Sequence, residues 1–373
     1  MELGLLPALG SGIGDLQRTG QASRLIEGYL EPYASAFSRV WYFSYLTEAL
    51  ADFTERRDLG ARVRVVGPHA PRQRLVRAVE MAVRHREEFR RCAVLRSFQL
   101  TGIIPALMAH ARWGTPFVTT YGFWYARLAR TSASRLMMRA LEHVGLRRAA
   151  AVIVTTEELR QHVASMALPD RIHLIPNGVD LRRFAPVERR TGQGRVLYIG
   201  RLSEEKNLSA LVEAAASLRT RVPSRLVMIG AGPLRDTLAA EARAAGVPAE
   251  FPGVVDHRLI PGWLRDADAF VLPSFTEGHP KALIEAMAAG VPAIVSDCAG
   301  NRAIVKSADA GLLFDPRRPA DLAAQLERVL TDDALASELS RRGRDVACRD
   351  YDLGRLVQTE IDLLERVART GSA

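Results

Sequence analysis

Two successive series of short apolar runs, each run followed by a helix-like pattern, constrain what this chain of 373 residues can fold into. Continuous apolar strands separated by amphipathic helices are typical of parallel sheets covered on both faces. The first series of predicted strands comprises Leu3 to Leu9, Val40 to Ser44, Val63 to Gly67, Ala93 to Phe98, Pro116 to Tyr121 and Ala150 to Thr155. The second comprises Arg195 to Gly200, Arg225 to Gly230, Glu250 to Val254, Ala269 to Pro273, Pro292 to Asp297 and Gly311 to Phe314. We therefore predict an α/β protein with two doubly wound domains.

The length supports the same division, because 373 residues exceed what one hydrophobic core comfortably organises. Residues 185–194 are polar and rich in Arg, Pro, Gly and Gln, as expected of a linker. Residues 1–184 then form an N-terminal Rossmann-like domain, and residues 195–351 form a C-terminal one. We expect a final helix over 352–373 to complete the first domain.

The composition, 48% hydrophobic and 25% charged, is that of a globular protein. No run approaches the ~20 apolar residues that a membrane-spanning helix requires. The first residues lack a basic segment and predict a strand and not a signal peptide. Three scattered cysteines have neither disulfide-framework nor metal-ligand spacing. We expect a cytoplasmic protein without a bound metal.

The formal charge of +9 is concentrated in the first half, where residues 1–183 carry 26 basic and 16 acidic side chains. This asymmetry favours an anionic partner: acidic lipid headgroups, a phosphorylated acceptor or nucleic acid. A generally basic composition is the alternative explanation. Nucleic acid is disfavoured because no recognised module is present and the arginines are not interleaved with stacking aromatics.

A basic helical segment is predicted over Arg72 to Arg91. It could lie on anionic lipid at the inner face of the cytoplasmic membrane, or it could be a solvated helix that covers the sheet. Its two predicted faces carry Leu75, Val79, Ala82 and Val83 on one side and Arg74, Arg77, Arg84 and Arg91 around the other.

The strongest candidate site lies between Pro273 and Pro292, where a strand leads through a loop into a helix. In such folds ligands bind beyond the carboxyl ends of strands, at helix N-termini. The loop carries Glu277, and the helix carries Glu285 within an apolar sequence, where a carboxylate needs a partner. About 12 Å of ideal helix would separate the two, enough to hold the sugar and the ribose of one nucleotide sugar. The alternative is that Glu277 complements the helix dipole and Glu285 is solvated.

These residues resemble the family-4 glycosyltransferases of the GT-B fold. The family's Glu-x7-Glu signature matches Glu277 to Glu285 together with the following Ala-Met-Ala-Ala-Gly-Val-Pro. The resemblance extends to Gly200 through Asn207, to the turn at Gly230 through Leu234, and to Ile175 through Asp180. It covers nearly all of residues 172–300.

The resemblance implies two Rossmann-like domains facing across a cleft and a metal-independent hexosyltransferase that retains anomeric configuration. In the family, the positions of Arg201 and Lys206 neutralise the leaving nucleotide diphosphate in place of a metal. Both residues follow the first strand of the second domain, before a helix that Asn207 could cap. Glu277 would orient the donor sugar, and Glu285 would bind the ribose hydroxyls. The remaining donor-binding candidates are Gly200, Gly230, Gly232, Gly278, Lys281, Ala282 and Leu283.

The candidates on the acceptor side are Gly12 and Gly14, after the first strand, and Tyr121 with Gly122, after the fifth. Backbone without side chains could approach the acceptor or the donor phosphate at the two glycines. Many relatives place a histidine where this chain has Tyr121, whose phenol could still form a hydrogen bond. His279 and Pro280 also depart from the family pattern, and they leave the identity of the donor sugar open.

The sequence thus predicts transfer of a sugar from a UDP- or GDP-sugar co-substrate to an acceptor hydroxyl, with no other cofactor. A saccharide or lipid-linked acceptor in bacterial cell-surface polysaccharide or glycolipid synthesis is the expected context. Two alternatives stay open: a nucleotide-sugar epimerase of the same fold, and a catalytically silent nucleotide-sugar-binding subunit.

Overall fold

The computed structural model of the protein describes residues 1–68, 73–125, 131–186 and 192–371. The chain divides into two compact units, Met1–Pro176 with Arg355–Ala373, and Asn177–Gly354. This division falls ahead of the boundary predicted after Phe184. Part of the predicted linker, residues 187–191, lies outside the described residues.

The first unit is built on a parallel sheet of seven strands in the order β3-β2-β1-β4-β5-β6-β7. The strands are β1 Glu2–Leu6, β2 Arg39–Phe43, β3 Val63–Val66, β4 Cys92–Ser97, β5 Phe117–Tyr121, β6 Ala151–Val154 and β7 Ile172–Leu174. All six strands predicted in this half are present. β7 was not predicted, because its three half-exposed residues at the sheet edge make no continuous apolar run.

Helices cover both faces of this sheet, as the crossovers of parallel strands require. They are α1 Ile13–Arg18, α2 Ala22–Leu25, α3 Glu31–Ala36, α4 Arg57–Arg62, α5 Arg74–Arg84, α6 Arg86–Arg91, α7 Ile104–Trp113, α8 Ser132–Arg148 and α9 Glu157–Val163. A π-helical turn, Ile26–Leu30, joins α2 to α3. Short 3-10 turns lie at Leu50–Asp52, Leu100–Gly102 and Pro169–Arg171.

The second unit has a parallel sheet of six strands in the order β10-β9-β8-β11-β12-β13. The strands are β8 Arg195–Ile199, β9 Arg225–Ile229, β10 Ala249–Gly253, β11 Ala269–Leu272, β12 Ala293–Ser296 and β13 Leu312–Phe314. Its helices are α10 Leu208–Leu218, α11 Arg235–Ala244, α12 Ile260–Arg265, α13 Lys281–Ala288, α14 Ala299–Val305, α15 Pro319–Thr331 and α16 Asp333–Asp350. The 3-10 turns of this unit are Glu204–Lys206, His257–Leu259 and Lys306–Ala308. The predicted α/β class is confirmed.

The last helix, α17 Leu353–Thr370, returns to the first unit from Arg355 onward. Its apolar residues Val357, Ile361 and Leu364 are buried at helical spacing. Glu360 on the same helix is buried and accepts a hydrogen bond from Arg96 Nε at 2.5 Å. Tyr33 also donates to this carboxylate. The buried cation and anion neutralise each other. Either charge alone at this depth would be strongly destabilising. Among the described residues, no helix is both long and apolar enough to cross a membrane.

Candidate active site

The centre of the second sheet is the place where the strand order reverses. β8 lies between β9, which follows it in the chain, and β11, which does not. Ligands of doubly wound sheets bind beyond the carboxyl ends of the strands at such a reversal. The loops that leave β8 and β11 at this edge carry Arg201, Lys206 and Glu277.

Lys206 and Glu277 meet at this edge although 71 positions separate them in sequence. The Lys206 ammonium Nζ lies 2.6 Å from Glu277 Oε1, and Ser274 Oγ donates to the same oxygen at 2.6 Å. Their side chains are only 19% and 11% exposed, so the attraction is screened less than in a surface ion pair. The structure thus brings two of the three predicted catalytic residues into direct contact.

Arg201, the third, occupies the same loop with its side chain in solvent. That side chain is 73% exposed and lies 3.9 Å from Glu205. Its backbone is held, because the Tyr198 hydroxyl donates to the Arg201 carbonyl at 2.8 Å. The backbone is thus fixed while the guanidinium lies in solvent near the sheet edge.

Gly230 and Gly232 allow the loops after β8 and β9 to pack against each other. A Cβ on Gly230, whose φ is +136°, would lie 1.8 Å from the Gly200 carbonyl oxygen. One on Gly232 would lie 2.1 Å from the Leu202 carbonyl oxygen. The Leu202 N–H donates to Ala231 across the same contact. These predicted donor-binding glycines therefore shape the loop that presents Arg201.

Helix α13 starts directly after the Glu277 loop, with Pro280 at the N-cap. The first intrahelical hydrogen bond runs from the Ile284 N–H to the Pro280 carbonyl at 3.4 Å. The preceding amides, those of Lys281, Ala282 and Leu283, point out of the helix end by the geometry of an α-helix. The Leu283 side chain itself is fully buried.

The Glu277-Gly278 backbone is also packed closely against the start of helix α14. A Cβ on Gly300 would lie 2.4 Å from the Gly278 carbonyl oxygen and 2.5 Å from that of Glu277. No side chain larger than hydrogen fits at position 300 without moving this loop.

Glu285 lies on α13 and is buried, with 3% of its surface exposed. Its Oε1 is 2.9 Å from Nε2 of His257, which is also buried. The expectation that a carboxylate in this apolar sequence needs a partner is confirmed, and the partner is a histidine after β10. The sequence offered no signal for His257, because it is a single histidine 28 positions away in an unremarkable loop.

His279, two positions after Glu277, is buried in the second unit. Asn177 Nδ2 donates to its carbonyl at 2.8 Å, and its ring lies edge-on to Tyr351. Burial, with the charge of Lys281 as a second cause, lowers the pKa of His279 to about 3. The side chain is therefore a neutral aromatic ring at physiological pH.

Asn207 holds the N-cap position of α10, as predicted, but its side chain does not cap the helix. Its φ of 52° is left-handed, and its Nδ2 donates to the Pro273 and Pro316 carbonyls at 3.3 and 2.8 Å. The prediction of a side-chain cap is wrong. Asn207 instead joins the loops after β8, β11 and β13.

In the first unit, the glycine loop after β1 is occupied by a carboxylate of the chain itself. Glu48 accepts hydrogen bonds from the Ile13 and Gly14 N–H groups, both at 2.8 Å, and from Ser44 Oγ at 2.5 Å. The Gly12 N–H donates to Asp15 at 3.1 Å. The backbone at Gly12 and Gly14 was predicted to approach the acceptor or the donor phosphate. In this structure its N–H groups donate hydrogen bonds to side chains of the same unit instead. Glu48 was not identified from the sequence.

Tyr121 lies in the core of the first unit and not at its surface. It is fully buried, and its hydroxyl donates to the buried Glu142 at 3.1 Å. Its ring packs on Tyr125 and His162. Gly122, the next residue, is half-buried with room for a Cβ. In this structure only Gly122 of the pair is open to a ligand, and the phenol supports helix α8 through Glu142.

Helix α5 exposes most of the apolar face that was predicted for it. Leu75, Val76, Val79 and Val83 are 44–61% exposed, whereas Ala78, Met81 and Ala82 are buried. The core positions are thus offset from the predicted apolar face. Arg77, predicted at the surface, reaches inward and donates to the Tyr45 carbonyl at 2.9 Å. We refer to Leu75, Val76, Val79 and Val83 as the α5 stripe.

Solved structures with the same architecture define the class of this protein. A sucrose-phosphate synthase of Thermosynechococcus elongatus superposes with a TM-score of 0.80 and 20% identity, over 98% of this chain and 99% of that one. The HepE protein of Anabaena, solved in complex with UDP, also has a TM-score of 0.80, with 17% identity over 98% and 100% of the chains. The fold is GT-B.

Two glycosyltransferase family models match this chain. The family described as "Glycosyl transferases group 1" matches residues 182–346, and "Glycosyltransferase Family 4" matches residues 38–183. The chain belongs to the family-4 glycosyltransferases.

Two relatives illustrate the sequence similarity. Glycogen synthase of Mycobacterium tuberculosis is 33% identical over 222 residues, 58% of this chain and 54% of that protein. The D-inositol 3-phosphate glycosyltransferase of Pseudarthrobacter chlorophenolicus is 29% identical over 87% of this chain and 86% of that one. The chain spans about half the length of the first curated relatives it matches.

Proposed function

We propose that this protein transfers a glycosyl group from a UDP- or GDP-sugar to an acceptor hydroxyl with retention of configuration. The contact between Lys206 and Glu277, at the strand reversal of a family-4 glycosyltransferase, carries the proposal. The ammonium would bind the diphosphate, and the carboxylate beside it would accept hydrogen bonds from sugar hydroxyls. The HepE complexes with UDP and UDP-glucose support a uridine nucleotide as the first donor to test.

Breaking the glycosidic bond leaves its electron pair on the diphosphate, so negative charge grows there during transfer. Lys206, Arg201 and the outward amides at the start of α13 would stabilise that charge through preorganised electrostatics. Glu277 would orient the donor sugar through its hydroxyls. The acceptor oxygen would form the new glycosidic bond, and its proton would pass to the departing diphosphate, which has gained the electron pair. Glu285 would bind the ribose.

We further propose that the reaction needs no metal ion, because the two cations take the electrostatic role that a metal has in other transferases. Within the described residues, no group of three His, Cys, Asp or Glu side chains could hold a metal. The proposal itself rests on the position of Lys206 and Arg201.

On the acceptor side, we propose that α5 brings the first unit to an anionic membrane surface at which a lipid-linked acceptor is presented. The α5 stripe offers apolar insertion, and Arg84, Arg86 and Arg90 beside it are 46–69% exposed. The helix also begins at the glycine loop, since a Cβ on Gly10 would lie 2.7 Å from Arg74 Cδ. A cell-surface polysaccharide or glycolipid precursor in a bacterial cytoplasm fits this arrangement.

The test is a thermal-shift screen with UDP, GDP and their sugars, followed by nucleotide-release assays with candidate acceptors. Tight ligands raise the unfolding temperature by mass action. A transferase releases nucleotide much faster when the acceptor is present. Conversion of the donor without acceptor would indicate an epimerase. Binding without release, across acceptors, would indicate a silent subunit, and absence of any nucleotide binding would contradict the proposal.

A further inference from the structure

His257 and Glu285 form a buried pair in the second unit. The proposed reaction gives Glu285 a role in binding the ribose but gives none to His257. Both side chains are about 5% exposed or less, and they lie 2.9 Å apart. His257 stands on the loop that follows β10, and Glu285 stands on α13, so the contact joins two separate elements of the unit.

The geometry determines what the imidazole does for the carboxylate. A carboxylate only accepts hydrogen bonds, so Nε2 of His257 carries the hydrogen and donates to Oε1. A glutamate has three rotatable side-chain bonds, and a fixed donor at one oxygen selects one arrangement among its rotamers. The ring is itself held in place, because it packs against the buried Phe184 at 5.3 Å between centroids.

The other ring nitrogen, Nδ1, is buried and has no hydrogen-bond partner among the residues that the structure describes. Burying a polar atom unpaired is unfavourable, so an apolar side chain would serve a purely structural role better. Retaining a histidine here therefore points to the Nε2–H group as the useful part of the residue.

We propose that His257 is a positioning residue for recognition of the nucleotide ribose: it fixes the Glu285 carboxylate in the orientation that accepts hydrogen bonds from the ribose hydroxyls. This inference rests on the proposed function. It names a determinant of selectivity for ribonucleotides over deoxyribonucleotides that acts through another residue and does not touch the ligand.

The experiment measures by calorimetry the affinity of the full chain for UDP or GDP, whichever it binds, and for the corresponding 2′-deoxynucleotide. Because the hydrogen bond at stake involves a charged acceptor, His257→Phe is expected to weaken ribonucleotide binding about tenfold. Deoxynucleotide affinity should change little, so the ratio of the two affinities collapses toward one.

Two further substitutions keep the test decisive. His257→Gln places an amide N–H near the former Nε2 position and should restore most of the parent ratio. His257→Asn has an amide too short to reach Oε1, and it should behave as His257→Phe does even where the larger phenyl ring prevents folding. Equal loss of both nucleotides in His257→Phe or His257→Asn would mean a structural role, and unchanged affinities would mean none; either overturns the inference. Lack of any nucleotide binding by the parent would instead overturn the proposed function on which it rests.

Discussion

At the scale of single residues, Lys206 is the side chain on which the proposed chemistry depends most. We expect Lys206→Met to lower the rate of transfer about 10²- to 10³-fold, the usual effect of removing one preorganised group that stabilises developing charge. Nucleotide release with saturating donor and acceptor measures it. Lys306→Met, an exposed lysine of the same unit, is the matched control and should keep the parent rate. Comparable losses in both variants would remove Lys206 from the mechanism.

His279 should make the second unit sensitive to acid. Its pKa is about 3 in the folded protein and 6.5 as the ordinary value, so below pH 6.5 the unfolded chain takes up a proton that the folded one refuses. The free energy of unfolding therefore falls as the pH decreases from 6.5 toward 3. Between pH 7 and pH 5 this loss is about 2 kcal/mol.

His279→Phe removes the titrating group and keeps an aromatic ring beside Tyr351. Urea unfolding of the full chain at both pH values should show a smaller acid-induced loss of stability for the variant than for the parent. Parallel losses in the two proteins would show that the imidazole is protonated in the folded state.

The site candidates proposed from sequence were residues that stand out by their immediate sequence neighbours. Lys206, Glu277 and Glu285 each follow a strand or lie on a helix within a recognisable pattern. The partners of Glu285, of the Gly14 backbone and of Tyr121 could not be found in the same way. These partners, His257, Glu48 and Glu142, lie 21 to 34 positions away and depend on which segments the fold brings together.

At the scale of secondary-structure elements, the strands other than β7 were predictable because they are short, largely apolar runs between turn residues. The loops and caps were not, as Asn207 shows: an N-cap side chain can bond either to the helix or to neighbouring loops, and tertiary contacts decide. Helix α5 shows that the buried face of a helix can be equally hard to predict. Its apolar residues cover more than half the circumference, so periodicity alone could not tell which of them face the sheet.

We expect α5 to bind anionic membranes through both its charge and its apolar stripe. Vesicles containing anionic lipid should co-sediment with the parent at low salt, and binding should weaken steeply with salt, since each basic residue contributes about 1 kcal/mol within a Debye length of the surface. Replacing Val79 and Val83 by glutamine, or Arg84 and Arg90 by glutamine, should each reduce the bound fraction.

The matched control is replacement of Arg341 and Arg349, two exposed arginines of α16 in the second unit, by glutamine. It removes the same charge from another place and should leave vesicle binding unchanged. Failure of the parent to bind, or equal losses in control and test variants, would make α5 an ordinary solvated helix and favour a soluble acceptor.

At the scale of the whole molecule, we expect transfer to continue in excess chelator. The cations Arg201 and Lys206 belong to the chain and are not removed with divalent ions. Initial rates with and without EDTA, after dialysis, provide the measurement. Abolition of activity by EDTA, with recovery on adding magnesium or manganese, would contradict the arrangement.

The return of α17 to the first unit affects the order in which the protein can fold during synthesis. Arg96 and Glu360 are separated by 264 positions, and the whole second unit is translated between them. Until α17 is made, Arg96 has no Glu360 to offset its charge, and burying it unpaired would have a high free-energy cost. The second unit, which is one continuous segment, can close first on the ribosome. We expect the first unit, although begun earlier, to reach its final packing last.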